Sequence, residues 1–299
     1  MFNFKESLNS SSKSAIVVLK LIIPLFILAD ILLYFDILKY ISFIFEPITN
    51  LLDLPSEAAL GIAAGILFNL YAALAFLTPI GLTPYEWTIL ATFLGVAHSL
   101  VVENTIMKKL GIPHLYSWIL RLSVGLLATI PILLLPKDYF SQNSEIVEPL
   151  QRNSYKSFTD MLINSLNNAT LLALKVIVLV TFIIFMMDYI KSTKFMKKRQ
   201  KNANTLFSIM VGLILGITYG AGILINEVKK GKLNKADIFY IATFLMICHS
   251  IIEDTLLFVI FGANGWLVIA IRVVIAFIFS YILVIIYKKA IYENRSISE

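Results

Sequence analysis

Eight stretches of this chain are apolar for about 20 residues each, the length at which a helix crosses the hydrocarbon core of a bilayer. They cover roughly 15–36, 57–78, 86–107, 115–136, 167–190, 206–227, 236–261 and 265–287. In hydrocarbon every backbone N–H and C=O must find a partner inside the protein, so runs of this length specify helices. Composition agrees. Of the 299 residues 59% are hydrophobic and 15% charged, and the mean hydropathy is +0.84, whereas a soluble domain carries about a quarter charged residues. The chain therefore reads as an all-α integral membrane protein, multi-pass, with the bilayer as its first partner.

The net charge of +6 is not a nucleic-acid signature, because the basic residues cluster between apolar runs, where they act as topology signals. The one cysteine, Cys248, excludes an intramolecular disulfide. The polar start MFNFKESLNSSSKS precedes an apolar run without a small-residue cleavage pattern. A retained first span is expected, with Lys5 and Lys13 holding the N-terminus in the cytoplasm. The stretch 37–54 carries Lys39, Glu46, Pro47 and Asp53 and suits an interfacial helix. The longest polar segment divides the chain into a first repeat at 1–136, an external linker at 137–165 and a second repeat at 166–299.

The two halves are related. An offset of 151 residues lays ATFLGVAHS (91–99) on ATFLMICHS (242–250), Gly61 on Gly212, Gly65 on Gly216, Gly111 on Gly262 and Arg121 on Arg272, without a gap. Apolar composition matches leucines by chance, but not histidines, arginines and glycines at one offset. Charge then orients the halves. If all eight runs crossed, the neighbouring loops KSTKFMKKRQK (191–201) and KKGKLNK (229–235), with six and four basic residues, would face opposite sides. If 57–78 and 206–227 are re-entrant hairpins instead, both basic loops, Lys108, Lys109, Lys288, Lys289 and Arg295 all fall in the cytoplasm. Each repeat then has three transmembrane helices plus one hairpin, and an odd number of crossings inverts the second repeat. Both termini are cytoplasmic in this arrangement, and the expected location is the cell (inner or plasma) membrane.

The hairpin candidates GIAAGILFNLYAAL (61–74) and GLILGITYGAGIL (212–224) concentrate glycine, at Gly61, Gly65, Gly212, Gly216, Gly220 and Gly222. Paired glycine-interrupted segments in two halves point to a transporter binding site; glycines four apart also serve plain close helix packing. Asn69 sits mid-hairpin with an amide to offer. Together, LPSEAALGIAAGILFNLYAAL (54–74), ATFLGVAHSLVVENT (91–105) and ATFLMICHSIIEDT (242–255) resemble the Gate, or nucleoside recognition, domain proteins. That module is similar in concentrative nucleoside transporters, the membrane part of ferrous iron transporters, and spore maturation proteins. The resemblance implies an inverted-repeat transporter core without choosing a substrate.

Ionisable residues inside the spans are few, and the clusters that hold them repeat: His98, Ser99, Glu103 and Asn104 in one half, His249, Ser250, Glu253 and Asp254 in the other. A buried charge costs about 2.5–3.5 kcal/mol at mid-bilayer on insertion scales, so it is retained where it is paired or used. On continuous helices the spacing of four puts His249 and Glu253 on one face, while the spacing of five sets His98 and Glu103 about 140° apart. Such groups can bind a small solute, relay a coupling proton, or ligate a divalent cation through His98, Glu103, His249 and Glu253. They can equally glue helices together. Arg121 and Arg272 are expected to pair with Glu103 and Asp254. Trp87, Trp118 and Trp266 read as interface anchors. No phosphate-binding loop, His-Glu-x-x-His or nucleophile elbow occurs, so no enzyme is expected. The leading expectation is a transporter moving a small polar solute or ion by alternating access between the repeats. The alternatives are a divalent-metal transporter, a metal-dependent intramembrane enzyme, and a non-transporting membrane subunit, with a homodimer left open.

Overall fold

The computed structural model describes residues 2–37, 40, 46–141, 155–194, 196, 205–217, 222, 224–225 and 233–296. Among them the helices are α1 (Phe4–Tyr34), α2 (Glu46–Leu51), α3 (Ala59–Leu67), α4 (Leu70–Leu77), α5 (Pro84–Ala97), α6 (Leu100–Lys108) and α7 (His114–Leu133). There follow α8 (Asp138–Ser141), α9 (Phe158–Ser192), α10 (Thr205–Leu215), α11 (Lys235–Ile247), α12 (Ile251–Val259) and α13 (Gly265–Ser296). No strand occurs among the described residues. Among the described residues six helical stretches are long and apolar enough to cross a membrane: α1, α5 with α6, α7, α9, α11 with α12, and Gly265–Lys289 of α13. The two remaining apolar runs of the sequence, 57–78 and 206–227, are not single long helices in their described parts. The helix α9 begins at Phe158, inside the stretch read as linker, because Ser157 caps it by accepting from the Asp160 N–H.

Local structure repeats at the 151-residue offset. Thr83 and Asn234 open α5 and α11 with capping boxes closed by Glu86 and Asp237. Ser99 and Ser250 are both left-handed, at φ 50° and 45°, and Gly111 and Gly262 turn the chain at φ 85° and 99°. Within each half the span doubles back on the next helix. Gly125 packs on Phe93, Arg121 reaches the His98 carbonyl and Ser117 donates to Asn104. In the second half Phe244 meets Phe277 and Arg272 reaches the His249 carbonyl.

The first helices of the two halves, α1 and α9, lie antiparallel. At one end Ser7 donates to Asp188 at 2.8 Å; at the other Phe35 meets Phe158 at 5.8 Å between ring centroids. Between α3 and α4 the chain breaks at Phe68 and Asn69. Gly61 lies opposite Leu77 and Gly65 opposite Ala73, which makes the pair an antiparallel helical hairpin. A side chain at Gly61 would collide with Leu77 of the other arm, and one at Gly65 with Leu94 of α5.

One end of the bundle gathers the foot of the hairpin, the start of α5 and the residues on either side of α13's turn. Lys137 lies 2.7 Å from Asp53 and holds its carboxyl below the usual carboxylate range, while the Tyr85 hydroxyl donates to the same carboxylate at 3.0 Å. Trp87 stacks on Phe261 at 4.8 Å, and the Asn264 N–H donates to the Thr88 hydroxyl at 2.9 Å. Trp87 is therefore buried between the halves rather than anchoring an interface; Trp266 is exposed. At the other end Tyr116, at the start of α7, meets Phe239 and Thr243 near the start of α11.

Candidate functional site

Both candidate clusters sit where a span is interrupted. Between α5 and α6, His98 is extended (φ −75°, ψ 163°) and Ser99 left-handed; between α11 and α12, Ser250 is left-handed. A serine at positive φ is uncommon, and a broken helix leaves carbonyls without intrahelical donors deep in an apolar environment. Two arginines supply donors. Arg121 donates from Nε to the Val96 carbonyl at 2.6 Å and from Nη2 to the His98 carbonyl at 2.7 Å. Arg272 Nη2 lies 3.0 Å from the His249 carbonyl and 2.6 Å from the Gly95 carbonyl of the other half. Each guanidinium thus stands in for the missing turn of helix at its own break.

The serines tie the breaks to the glycine-rich elements. The Ser99 N–H donates to the Gly65 carbonyl at 2.9 Å and its hydroxyl to the Phe68 carbonyl at 2.8 Å, the latter freed where the hairpin unwinds. In the second half the Ser250 N–H reaches the Gly212 carbonyl at 3.4 Å, and α10 ends at Gly216 in a left-handed turn (φ 86°) against the Ser250 hydroxyl. Gly65 and Gly212 are not offset equivalents, so the second attachment is shifted by one helical turn relative to the first.

The side chains of the two breaks converge. His98 and His249 lie with ring centroids 5.3 Å apart, and each ring's Nε2 is 3.2 Å from the same oxygen, Oε1 of Glu103. Each Nδ1 is 2.7 Å from the carbonyl of the residue four before it, Leu94 or Leu245. A carbonyl oxygen only accepts, so each Nδ1 carries a proton, and each ring turns its Nε2 toward the centre. The other Glu103 oxygen is 2.6 Å from Arg121 Nη1, an ion pair whose angles fall outside a directed hydrogen bond. Arg272 pairs with Asp254 at 3.2 Å. Donor atoms of His98, His249 and Asp254 all lie within 4.8 Å of one another.

The sequence-predicted residues thus divide. His98, Ser99, Glu103, His249, Ser250 and Asp254 assemble at the two breaks, and the pairing of each arginine with its offset carboxylate is as expected. Glu253 points elsewhere: the Tyr71 hydroxyl of α4 donates to it at 3.4 Å. The helical face shared by His249 and Glu253 does not exist, because the chain leaves the helix between them, at Cys248–Ser250. Loss of that register is what instead turns His249 toward Glu103. Asn69 is half-buried and caps α4 by accepting from the Ala72 N–H at 3.0 Å, which commits its carbonyl but not its amide nitrogen. Gly61, Gly65, Gly212 and Gly216 pack tightly, Gly222 is exposed with nothing near it, and Gly220 lies outside the described residues.

Two participants, Tyr71 and Gly95, escaped sequence reasoning. Tyr71 reads as one more apolar position of a hairpin, although a tyrosine two residues after the only asparagine there is a usable hint. Gly95 breaks the offset, facing Met246 in the other half. It has no side chain because a Cβ there would stand 2.9 Å from Arg272 Nη1. Asn104, named with the first cluster, pairs with Ser117, and its offset counterpart is Thr255, so this contact does not repeat.

Among known proteins, the chain is similar to the "Uncharacterized membrane protein YvoD" of Bacillus subtilis (strain 168), at 27% identity over 283 residues that cover 90% of each chain. No protein-family model matches the chain, and no solved structure matches it. The likeness therefore carries membrane character and leaves the resemblance to the Gate proteins resting on the motifs quoted above. With six apolar helices of spanning length and this relative, the chain is a polytopic α-helical membrane protein.

Proposed function

We propose that this protein is a transporter of the Gate type, with no enzymatic step, that moves a small polar solute or ion by alternating access between two halves of opposite orientation. The observation that carries the reading is the paired interruption of two spans at one offset, each stapled by a serine to a glycine-rich element. Irregular backbone survives at membrane depth only when it is buried in protein or lines a cavity, and broken helices in matching places of two repeats flank midplane binding sites in transporters. Opposite orientation is supported by contacts. Equivalent helices α1 and α9 run antiparallel. The turn into α13 meets the start of α5, whereas α7, the equivalent of α13, starts beside α11 at the other end. The helical hairpin of α3 and α4 enters and leaves the membrane from outside in this arrangement, with the termini and both basic loops in the cytoplasm.

Coupling comes from an ion or proton gradient or from facilitation, since the sequence contains no ATP-binding motif. Counterflow in proteoliposomes is the test: protein preloaded against nucleosides, organic anions or divalent metals is expected to exchange one class. Absence of movement for every class under any imposed gradient supports a non-transporting subunit instead.

A further inference from the structure

We infer that His98, His249, Glu103 and Asp254 form a binding site for one divalent transition-metal ion at the meeting of the two broken spans. The inference deepens the transport reading by naming the ion class for that centre, and rests on it only in making the ion cargo or coupling ion.

The geometry argues for a cation first. Both Nδ1 atoms are spent on the Leu94 and Leu245 carbonyls, so both Nε2 atoms are left to converge on Glu103 Oε1, each 3.2 Å from it. Two ring nitrogens and a carboxylate oxygen gathered around one point suit a cation held among them, and one metal ion engages both rings and the carboxylate together. The spacing fits. Two ligands about 2.1 Å from an ion stand about 3.0 Å apart at a right angle and about 3.4 Å apart in a tetrahedron. The observed 3.2 Å lies between.

Supporting contacts have the form that metal sites use. A ligating imidazole commonly donates its other N–H to a backbone carbonyl, which fixes its tautomer, and both rings do so here. Ligating carboxylates are themselves held, and Arg121 and Arg272 hold Glu103 and Asp254. Glu103 and Asp254 are matched one to one by Arg121 and Arg272, so these four groups carry a formal charge of 2 − 2 = 0 and present no excess positive charge to an arriving cation. Two imidazole nitrogens select borderline transition ions over magnesium or calcium, which prefer all-oxygen sites.

The test uses the full-length protein in detergent, stripped of metal and titrated with Co2+ alone, following visible absorption and bound metal by elemental analysis. One equivalent per chain with a ligand-field band is expected, displaced by Zn2+. His98→Ala and His249→Ala should abolish the band, Asp254→Asn should weaken binding by at least about tenfold, and Asp53→Asn, remote from the centre, should leave it unchanged. Wild-type protein that binds no Co2+, Zn2+ or Mn2+ up to about 1 mM overturns the inference whether or not a histidine variant folds. So does binding that survives both histidine changes. Transport without metal binding removes this inference and keeps the transporter; stoichiometric binding without any transport does the reverse.

Discussion

Arg121 and Arg272 are the largest wholly buried side chains among the described residues, a costly choice in a membrane. Each offsets that cost by satisfying carbonyls that a helix break has freed, and by neutralising a carboxylate. Removing one therefore orphans several groups at once. Arg121→Met leaves Glu103 and the Val96 and His98 carbonyls uncompensated, and breaking a buried ion pair costs about 3–5 kcal/mol. The variant is expected to lose thermal stability on that scale in detergent; an unchanged melting midpoint would show that water satisfies those groups instead. Ser99→Ala should cost less, about 1 kcal/mol, because it removes one bond to the unwound Phe68 carbonyl.

At the scale of elements, the glycines separate by what surrounds them. Gly216 combines a left-handed φ of 86° with a Ser250 hydroxyl 2.6 Å from where a Cβ would stand. Gly222 is exposed and has nothing within 4 Å. Gly216→Ala should destabilise by about 1–3 kcal/mol, and Gly222→Ala should stay within about 0.5 kcal/mol of wild type. Differential scanning fluorimetry of the two alanine variants side by side checks this; equal effects would remove the attachment of α10 to the second break. Gly95→Ala is the cross-half counterpart. It should push Arg272 off the α5 carbonyl and lower stability without touching the α3–α4 hairpin.

For the whole molecule the decisive quantity is sidedness. In a Cys248→Ser background, Lys137→Cys is expected to react with an impermeant thiol reagent added outside, beside the Asp53 foot of the hairpin. Thr193→Cys, ahead of the basic loop, should react only after permeabilisation. Labelling of Thr193→Cys from outside would restore same-facing repeats, which the antiparallel packing of α1 on α9 argues against.

Sequence alone determined the helical membrane class and the match of the two halves at an offset of 151 residues, because apolar run length and exact offsets are one-dimensional signals. It also carried the arginine–carboxylate pairs, since both members repeat together. Only the tertiary structure decided that the spans break at His98–Ser99 and Cys248–Ser250, because a serine at positive φ leaves no mark on hydropathy and is held there by contacts from other helices. Once the helix is broken, i+4 spacing no longer predicts neighbours. His249 then meets Glu103, 146 positions away, while Glu253 meets Tyr71. Partners across the two halves are set by how the halves pack, and local pattern does not contain that information.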